Sequence, residues 1–194
     1  MHHFLFTFWF VLLSCSSSQS LPFDDAGNWC QEDYFVSGQQ AFDGVTIEVV
    51  NYNAHTEIHR LLGISAPGGG MLEPDESCYG LQAKEFLQLL ITDELIELKF
   101  DAICSDIYDQ KLSWVVLQGN NPAIAQLAKI YQPDSLYDDS HYRLLVNELL
   151  VRLGFNSVYR SEQYAVDRYM DRLEVAEAYA KAEGLGGWTE CTDF

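Results

Sequence analysis

Positive charge is scarce in this chain of 194 residues, which has 11 Lys and Arg residues against 29 Asp and Glu and a formal net charge of −18. Proteins that hold duplex DNA neutralise its phosphates with basic side chains, so this composition disfavours nucleic acid as a partner without forbidding it. Aromatic residues make up 13% of the chain and hydrophobic residues 48%, which is more core material than disordered acidic chains carry. We therefore expect one globular domain with an acidic surface.

No hydrophobic run near the N-terminus is long enough to cross a membrane as a helix. Residues 1–14 contain no Asp, Glu, Lys or Arg, and the apolar run from Phe4 to Leu13 is about half the length that a spanning helix needs. The Leu-Leu-Ser that precedes Cys15 resembles the lipoprotein box of bacterial signal peptides. We therefore expect a lipoprotein signal peptide over residues 1–14, with Cys15 lipidated. A tether over residues 15–29 and a folded domain over residues 30–194 follow.

This N-terminus also sets the expected location and partners. A lipid on Cys15 would anchor an exported protein in a membrane, and Ser16 after the cysteine fits the bacterial pattern for the outer membrane or the periplasmic face. The membrane is thus one expected partner, and the other is an unidentified protein or small ligand. A plain secretory signal or a short buried segment is the alternative interpretation of residues 1–14.

The Cys-x-x-Cys spacing that is typical of zinc sites is missing. With Cys15 reserved for the lipid, four cysteines remain, which are Cys30, Cys78, Cys104 and Cys191. An even number of cysteines in an exported chain predicts two disulfides. Three pairings are possible, and the sequence does not choose among them.

Strand patterns dominate the first half of the domain, and helical patterns follow. Alternation of apolar and polar residues, with a turn at Asp43-Gly44, predicts strands over residues 34–50 (two strands), 55–64, 94–100 and 112–117. Helical spacing predicts helices that begin near Gly80, run from about Leu145 to Gly154 and run from Tyr169 to Glu183. Residues 119–142 are expected to form a loop that contains a short apolar repeat. This order indicates an α+β fold.

Six segments of the chain, taken together, resemble one known family. They are F-D-G-V-T-I (42–47), R-L-L-G-I-S-A-P (60–67), Y-G-L-Q-A-K-E-F-L (79–87), D-I-Y-D-Q-K-L-S (106–113), V-N-E-L-L-V-R-L-G (146–154) and A-E-A-Y-A-K-A-E-G-L-G-G-W (176–188). In this order they resemble the staphylococcal nuclease, or thermonuclease-like, domain over about residues 36–188. The resemblance implies a five-stranded OB-type barrel with three helices.

The resemblance also implies a calcium-dependent phosphodiesterase, but four parts of that machinery are replaced here. Family nucleases hold Ca²⁺ with carboxylates, use a further carboxylate on the attacking water and clamp the phosphate with two arginines. Val45 stands where the family has its main metal carboxylate, and Ser65 where it has the second. Gly68 replaces the catalytic glutamate, and Gln110 replaces the second arginine.

Three residues remain as candidates for a site. Arg60 stands at the first phosphate-clamp position of the family, although a strand arginine paired with a surface carboxylate explains it equally well. Asp43 matches a minor member of the metal pocket. Tyr108 lies in the turn where family members touch the nucleotide, so its ring could stack on a base or pack on the edge of the barrel. His55 and His59, four apart in a predicted strand, are interpreted as polar surface rather than as metal ligands.

These residues support two main hypotheses. The favoured one is an envelope-anchored domain that has lost its chemistry and serves as a binding or scaffold module, without a cofactor. The alternative is an active exported metal-dependent phosphodiesterase in which the loop acids Glu73, Asp75 or Glu76 rebuild a calcium site with Asp43. A third and weaker hypothesis is a structural envelope protein whose partner contacts residues 119–142.

Overall fold

The computed structural model describes residues 32–67, 77–106, 108, 110–136, 141–160, 168–192 and 194. Several sequence predictions fall outside these ranges: the signal peptide, the tether, Cys15, Cys30, Gly68, Glu73, Asp75 and Glu76. Within the described ranges, no helix has the length and apolar character required to span a bilayer.

The described residues alternate between short strands and helices. In chain order the elements are the strands β1 (Tyr34–Ala41), β2 (Thr46–Asn51), β3 (Thr56–Leu61) and β4 (Ile64–Ser65), the helix α1 (Gly80–Ile91), the strands β5 (Leu95–Lys99) and β6 (Lys111–Gly119), the helix α2 (Pro122–Tyr131), a 3-10 turn (Pro133–Ser135), the strand β7 (Tyr142–Leu145), the helix α3 (Val146–Arg152), the strand β8 (Ser157–Val158) and the helices α4 (Met170–Glu183) and α5 (Gly187–Glu190).

Five of the strands close a barrel in the order β3-β2-β1-β5-β6. Neighbours along this order are antiparallel, whereas the pair that closes the barrel, β3 with β6, is parallel and sets Arg60 opposite Leu112. β7 adds to the far half of β6, and β4 pairs with β8 in a separate two-stranded sheet. The predicted α+β fold with a five-stranded OB-type barrel is therefore confirmed.

The central strand β6 is buried on both faces, which explains its continuous apolar run. Val115 and Leu117 lie opposite Leu98 and Ile96 of β5 and are fully buried. The alternate residue Trp114 is also fully buried, and its ring meets that of Tyr169 edge-on at a centroid distance of 5.1 Å. One face of β6 thus belongs to the barrel, and the other supports the segment that leads into α4.

The three predicted helices correspond to α1, α3 and α4, and the predicted end of α4 is confirmed. Gly184 adopts a left-handed conformation with φ of 62° at the C-cap, where its backbone N–H donates to the Ala180 and Lys181 carbonyls. A residue with a Cβ resists that conformation, so the helix stops where the sequence places a glycine.

The prediction of a loop over residues 119–142 is wrong for its first half, because the chain forms α2 there. The 3-10 turn and β7 follow. Asn121 caps α2 by accepting a hydrogen bond from the Ala123 N–H at 3.0 Å, and Pro122 occupies the first turn. Both residues are strong helix-start signals. The short apolar repeat in this segment is therefore the buried face of a helix, with Ile124, Ala125 and Ala128 buried.

The cysteines of the described chain are oxidised. Cys78, just before α1, is bonded to Cys191, just after α5, across a sequence separation of 113 residues. Cys104 is also disulfide-bonded. The disulfide between Cys78 and Cys191 fixes the segment after α5 against the start of α1. The sequence alone left three pairings of the four cysteines open.

Candidate functional site

Asp43 organises the turn between β1 and β2. Its Oδ1 accepts hydrogen bonds from the Val45 N–H at 2.7 Å and the Thr46 N–H at 2.6 Å, and its Oδ2 accepts one from the Thr46 hydroxyl at 3.1 Å. Both carboxylate oxygens are thus engaged in holding the turn, as is common for aspartate at such positions. This accounts for Asp43 without a metal ion.

Val45 points into the core and has no exposed surface. The turn beside it is held by Asn156, whose fully buried amide donates to the Gly44 carbonyl at 3.0 Å and to the Ser65 carbonyl at 3.2 Å. The Ser65 hydroxyl donates to the carbonyl of Ala66 at 3.3 Å. Where the family resemblance places two metal carboxylates, the structure therefore has an apolar side chain in the core and a hydroxyl turned to its own backbone.

Arg60 lies in β3, half-buried, between Thr46 of β2 and Leu112 of β6. Within the part of the chain that the structure describes, its guanidinium makes no hydrogen bond or ion pair. The expected pairing with a surface carboxylate is therefore not seen among these residues. Its role as a phosphate clamp stays a prediction.

The loop that carries Tyr108 and Gln110 is held by Asp106. The Asp106 Oδ1 accepts hydrogen bonds from the backbone N–H groups of Tyr108 at 2.8 Å and Gln110 at 2.9 Å. The Tyr108 side chain is 79% exposed, so it does not pack on the edge of the barrel. Gln110 is exposed and directly precedes β6, whose Leu112 pairs with Arg60.

The strand pairings bring Asp43, Arg60 and Gln110 to one region of the barrel. Thr46 follows the Asp43 turn and pairs with Arg60, which in turn pairs with Leu112 beyond Gln110. No group of three or more His, Cys, Asp or Glu side chains in the described ranges is arranged to hold a metal ion. The loop acids that the alternative hypothesis needs lie outside those ranges.

A polar cluster that the sequence analysis missed lies on the opposite face of β3. We call it the Glu57 cluster, and its members are Tyr34, Asn51, Glu57, His59 and Lys111. The Glu57 Oε2 accepts from the Tyr34 hydroxyl at 2.6 Å, from Lys111 Nζ at 2.7 Å and from His59 Nε2 at 3.2 Å, while the Oε1 accepts from Asn51 Nδ2 at 2.6 Å. One carboxylate thus links β1, β2, β3 and β6.

The electrostatics of the Glu57 cluster favour a charged glutamate and a neutral histidine. The hydrogen bond from His59 and those from Lys111, Tyr34 and Asn51 hold the pKa of Glu57 far below its usual range, against the opposing effect of burial. Burial lowers the pKa of His59, which has no exposed surface, although Glu57 opposes this shift. Burial and then the Glu57 carboxylate raise the pKa of Tyr34.

The interpretation of His55 and His59 as a surface pair is wrong for His59. His55 is exposed in the turn before β3, whereas His59 is fully buried and bonded to Glu57. A signal was available, because Glu57 and His59 lie four and two residues before the apolar Leu61 and therefore share its inward face of the strand. Polar residues at such positions indicate a buried network rather than a solvated face.

The family comparison agrees with this architecture. A family model described as staphylococcal nuclease homologue matches residues 59–190, which is more than half of the chain. No curated protein shows significant similarity to the chain. The match begins in β3 and ends with α5, so it includes the strand pair that closes the barrel.

Proposed function

Because the chain belongs to the staphylococcal nuclease homologue family, we propose that it is a catalytically inactive member that acts as a binding or scaffold module in the cell envelope. The observation that carries the proposal is Val45, which is fully buried where the family resemblance places the main metal carboxylate. A hard cation such as Ca²⁺ requires oxygen ligands, and a valine supplies none.

The other positions support the same proposal. Both oxygens of Asp43 hold the β1–β2 turn, the Ser65 hydroxyl bonds to the adjacent backbone, and Gln110 carries no positive charge for the phosphate. Removing one group that stabilises developing charge costs about 3–4 kcal/mol of transition-state stabilisation. Such losses do not simply add within one site, but four of them together leave essentially none of the family chemistry.

A nuclease assay tests the proposal directly. The purified protein is incubated with labelled single-stranded DNA and RNA, with Ca²⁺ and with a chelator, beside an active family nuclease as positive control. We expect no calcium-dependent cleavage and no thermal shift on adding Ca²⁺. Calcium-dependent cleavage that is lost in Arg60→Ala and retained in Arg160→Ala, a matched arginine far along the chain, would overturn the proposal.

One observation favours the alternative, an active exported phosphodiesterase with a rearranged metal site. Arg60 is half-buried and has no ion-pair partner in the described ranges, and Tyr108 is 79% exposed in the neighbouring loop. A guanidinium without a partner among the described residues and an exposed aromatic ring in the loop before β6 suit a phosphate and a base. If the alternative holds, Arg60→Ala and Asp43→Ala each abolish cleavage, and a wild type without cleavage refutes it.

The location of the protein is part of the proposal. Disulfides persist in oxidising compartments, and the bond between Cys78 and Cys191 supports export. Lipidation of Cys15 would then hold the domain at the membrane. Metabolic labelling with a radioactive fatty acid checks this: the wild type takes up label and Cys15→Ala does not. An unlabelled wild type found free in the periplasm or medium would favour a plain secretory signal instead.

A further inference from the structure

Cys104 has a disulfide partner that is one of two cysteines near the N-terminus. It lies between β5 and β6, is 2% exposed and is disulfide-bonded. The chain has five cysteines, and Cys78 and Cys191 are bonded to each other. Because the structure holds one chain and each sulfur forms one disulfide, the partner of Cys104 is Cys15 or Cys30. Both lie outside the described residues, but the described chain around Cys104 distinguishes between them.

The start of β1 is fastened to the segment that leads to Cys104. The Asp33 Oδ1 accepts a hydrogen bond from the Phe100 N–H at 3.2 Å, and the Tyr34 ring stacks on that of Phe100 at a centroid distance of 5.7 Å. Asp33 comes three residues after Cys30, and Phe100 comes four residues before Cys104. These contacts hold side by side the two stretches of chain that lead to Cys30 and Cys104.

The register of β1 with β5 favours the same pair. In this antiparallel pair Tyr34 lies opposite Leu98. Because each step back along β1 matches one step forward along β5, the same register continued would set position 30 opposite position 102. Position 104 is then a diagonal neighbour on the same face, about 7–8 Å away in a regular ladder. A disulfide needs Cα atoms about 4.4–6.8 Å apart, so a small displacement of the irregular chain after β5 is enough.

Cys15 fits the bond less well than Cys30. It lies 18 residues before Asp33, whereas Cys30 lies three residues before it. The entropic cost of closing a flexible loop grows with its length, so closure through Cys15 is roughly tenfold less favourable. Cys15 also has a competing use, because the lipoprotein signal expected over residues 1–14 places a lipid thioether on its sulfur. A sulfur in a thioether cannot form a disulfide.

We propose that Cys30 is the disulfide partner of Cys104, and that Cys15 is thereby left as the cysteine available for lipidation. Formation of the bond takes two protons and two electrons from the two thiols and reduces a disulfide of an oxidoreductase in the oxidising compartment. The pairing does not depend on whether the chain cleaves nucleic acid.

The bond also decides where the membrane anchor meets the barrel, a step that rests on the proposed lipidation of Cys15. The Leu112 N–H donates to the Cys104 carbonyl at 2.7 Å, and Leu112 pairs with Arg60 where β3 and β6 close the barrel. The cross-link therefore attaches the tether beside the Arg60 region. Residues 16–29 span at most about 50 Å when fully extended, so we expect the partner of the module to lie close to the membrane surface.

Peptide mapping of the full chain, exported and purified without reductant and with free thiols blocked, tests the pairing. A protease that cuts before aspartate separates the two candidate cysteines, because Asp24-Asp25 lies between them. We expect residues 25–32 linked to residues 101–105, with the other disulfide as an internal control. A link from residues 101–105 to the peptide that contains Cys15, or no link to them at all, would overturn the proposal.

Two serine variants separate the pairing from the proposed lipidation. In denaturant, Cys30→Ser should expose one additional thiol per chain to a maleimide, at Cys104, whereas Cys15→Ser should expose none. A Cys104 thiol that stays unlabelled in Cys30→Ser, or is labelled in Cys15→Ser, would contradict the pairing. If Cys30→Ser does not fold, the peptide map of the wild type decides alone. A labelled Cys15 in the wild type would refute lipidation and leave the pairing intact.

Discussion

The substitution Glu57→Gln tests how much the Glu57 cluster contributes to the stability of the fold. The glutamine keeps one acceptor oxygen, but it removes the charge opposite Lys111. Its NH₂ group faces either the Asn51 donor or the donors of Tyr34, Lys111 and His59, depending on the orientation of the amide. Removing one partner of a buried ion pair costs about 3–5 kcal/mol. Since the Glu57 side chain is 13% exposed and one acceptor remains, we expect a loss of about 3 kcal/mol. In a domain of this size that lowers Tm by about 6–12 °C.

The same cluster contributes to the pH dependence of stability. Burial lowers the pKa of His59 below its ordinary value of 6.5, so the unfolded chain binds the proton more readily and stability falls as the pH drops below about 6.5. The pKa of Glu57 is lowered from 4.5, chiefly by the hydrogen bond from His59, so its contribution is complete above about 4.5 and is lost at lower pH. Wild-type stability should therefore decrease in two steps on acidification.

Urea denaturation between pH 7.5 and pH 3 measures both steps. Glu57→Gln should make the lower step smaller without abolishing it, because the pKa values of Asp33, Glu97 and Glu177 are lowered too. Glu48→Gln, which removes a carboxylate hydrogen-bonded to Gln40 at the surface, should keep the step in full and cost under about 1 kcal/mol. The assignment of the cluster as a buried charged network is refuted by either of two results. One is that Glu57→Gln is as stable as Glu48→Gln at pH 7. The other is that the stability of Glu57→Gln falls as steeply as that of the wild type between pH 5 and pH 3.

Three further changes probe other parts of the structure. Breaking the disulfide with Cys78→Ser and Cys191→Ser should cost about 4–5 kcal/mol, because the bond closes a loop of over a hundred residues; urea denaturation beside the oxidised wild type checks this, and a loss under about 1 kcal/mol would show that the bond is dispensable. Asn121→Ala should cost about 1 kcal/mol by removing the α2 cap, and calorimetry that finds no change would contradict the capping role. Val45→Asp places a carboxylate at a fully buried position and should cost at least about 3 kcal/mol by calorimetry without creating calcium-dependent nuclease activity; cleavage by this variant would show that one carboxylate is enough to restore the site.

The barrel could be predicted from the sequence, because the patterns that predict its strands extend over only a few neighbouring residues. Alternation in residues 34–50 and the glycine at position 184 each decide a strand or a helix end within a few residues, and the structure agrees. The helix α2 was not predicted, because the apolar repeat that follows Asn121-Pro122 is short. Asn121 and Pro122 are nevertheless residues typical of a helix start. A cap signal of this kind outweighs weak periodicity.

The sites that depend on strand register could not be predicted in the same way. Glu57 meets Tyr34 and Lys111 only because β1, β3 and β6 assemble in one particular register, and these residues are far apart in the chain. The pairing of Cys78 with Cys191 likewise requires knowledge of where α1 and α5 meet. The family resemblance located Arg60 and Asp43, but only the structure shows that Asp43 is engaged in a turn.

The parallel pair between β3 and β6 also has a consequence for biosynthesis. During vectorial synthesis or export, β1, β2 and β3 appear first and can pair with one another, but the outer edge of β3 stays open until β6 has emerged. An open strand edge attracts other chains, and closure between distant segments is slow. A nascent chain stopped before Lys111 would therefore expose an aggregation-prone edge, whereas one that extends past Gly119 could seal it.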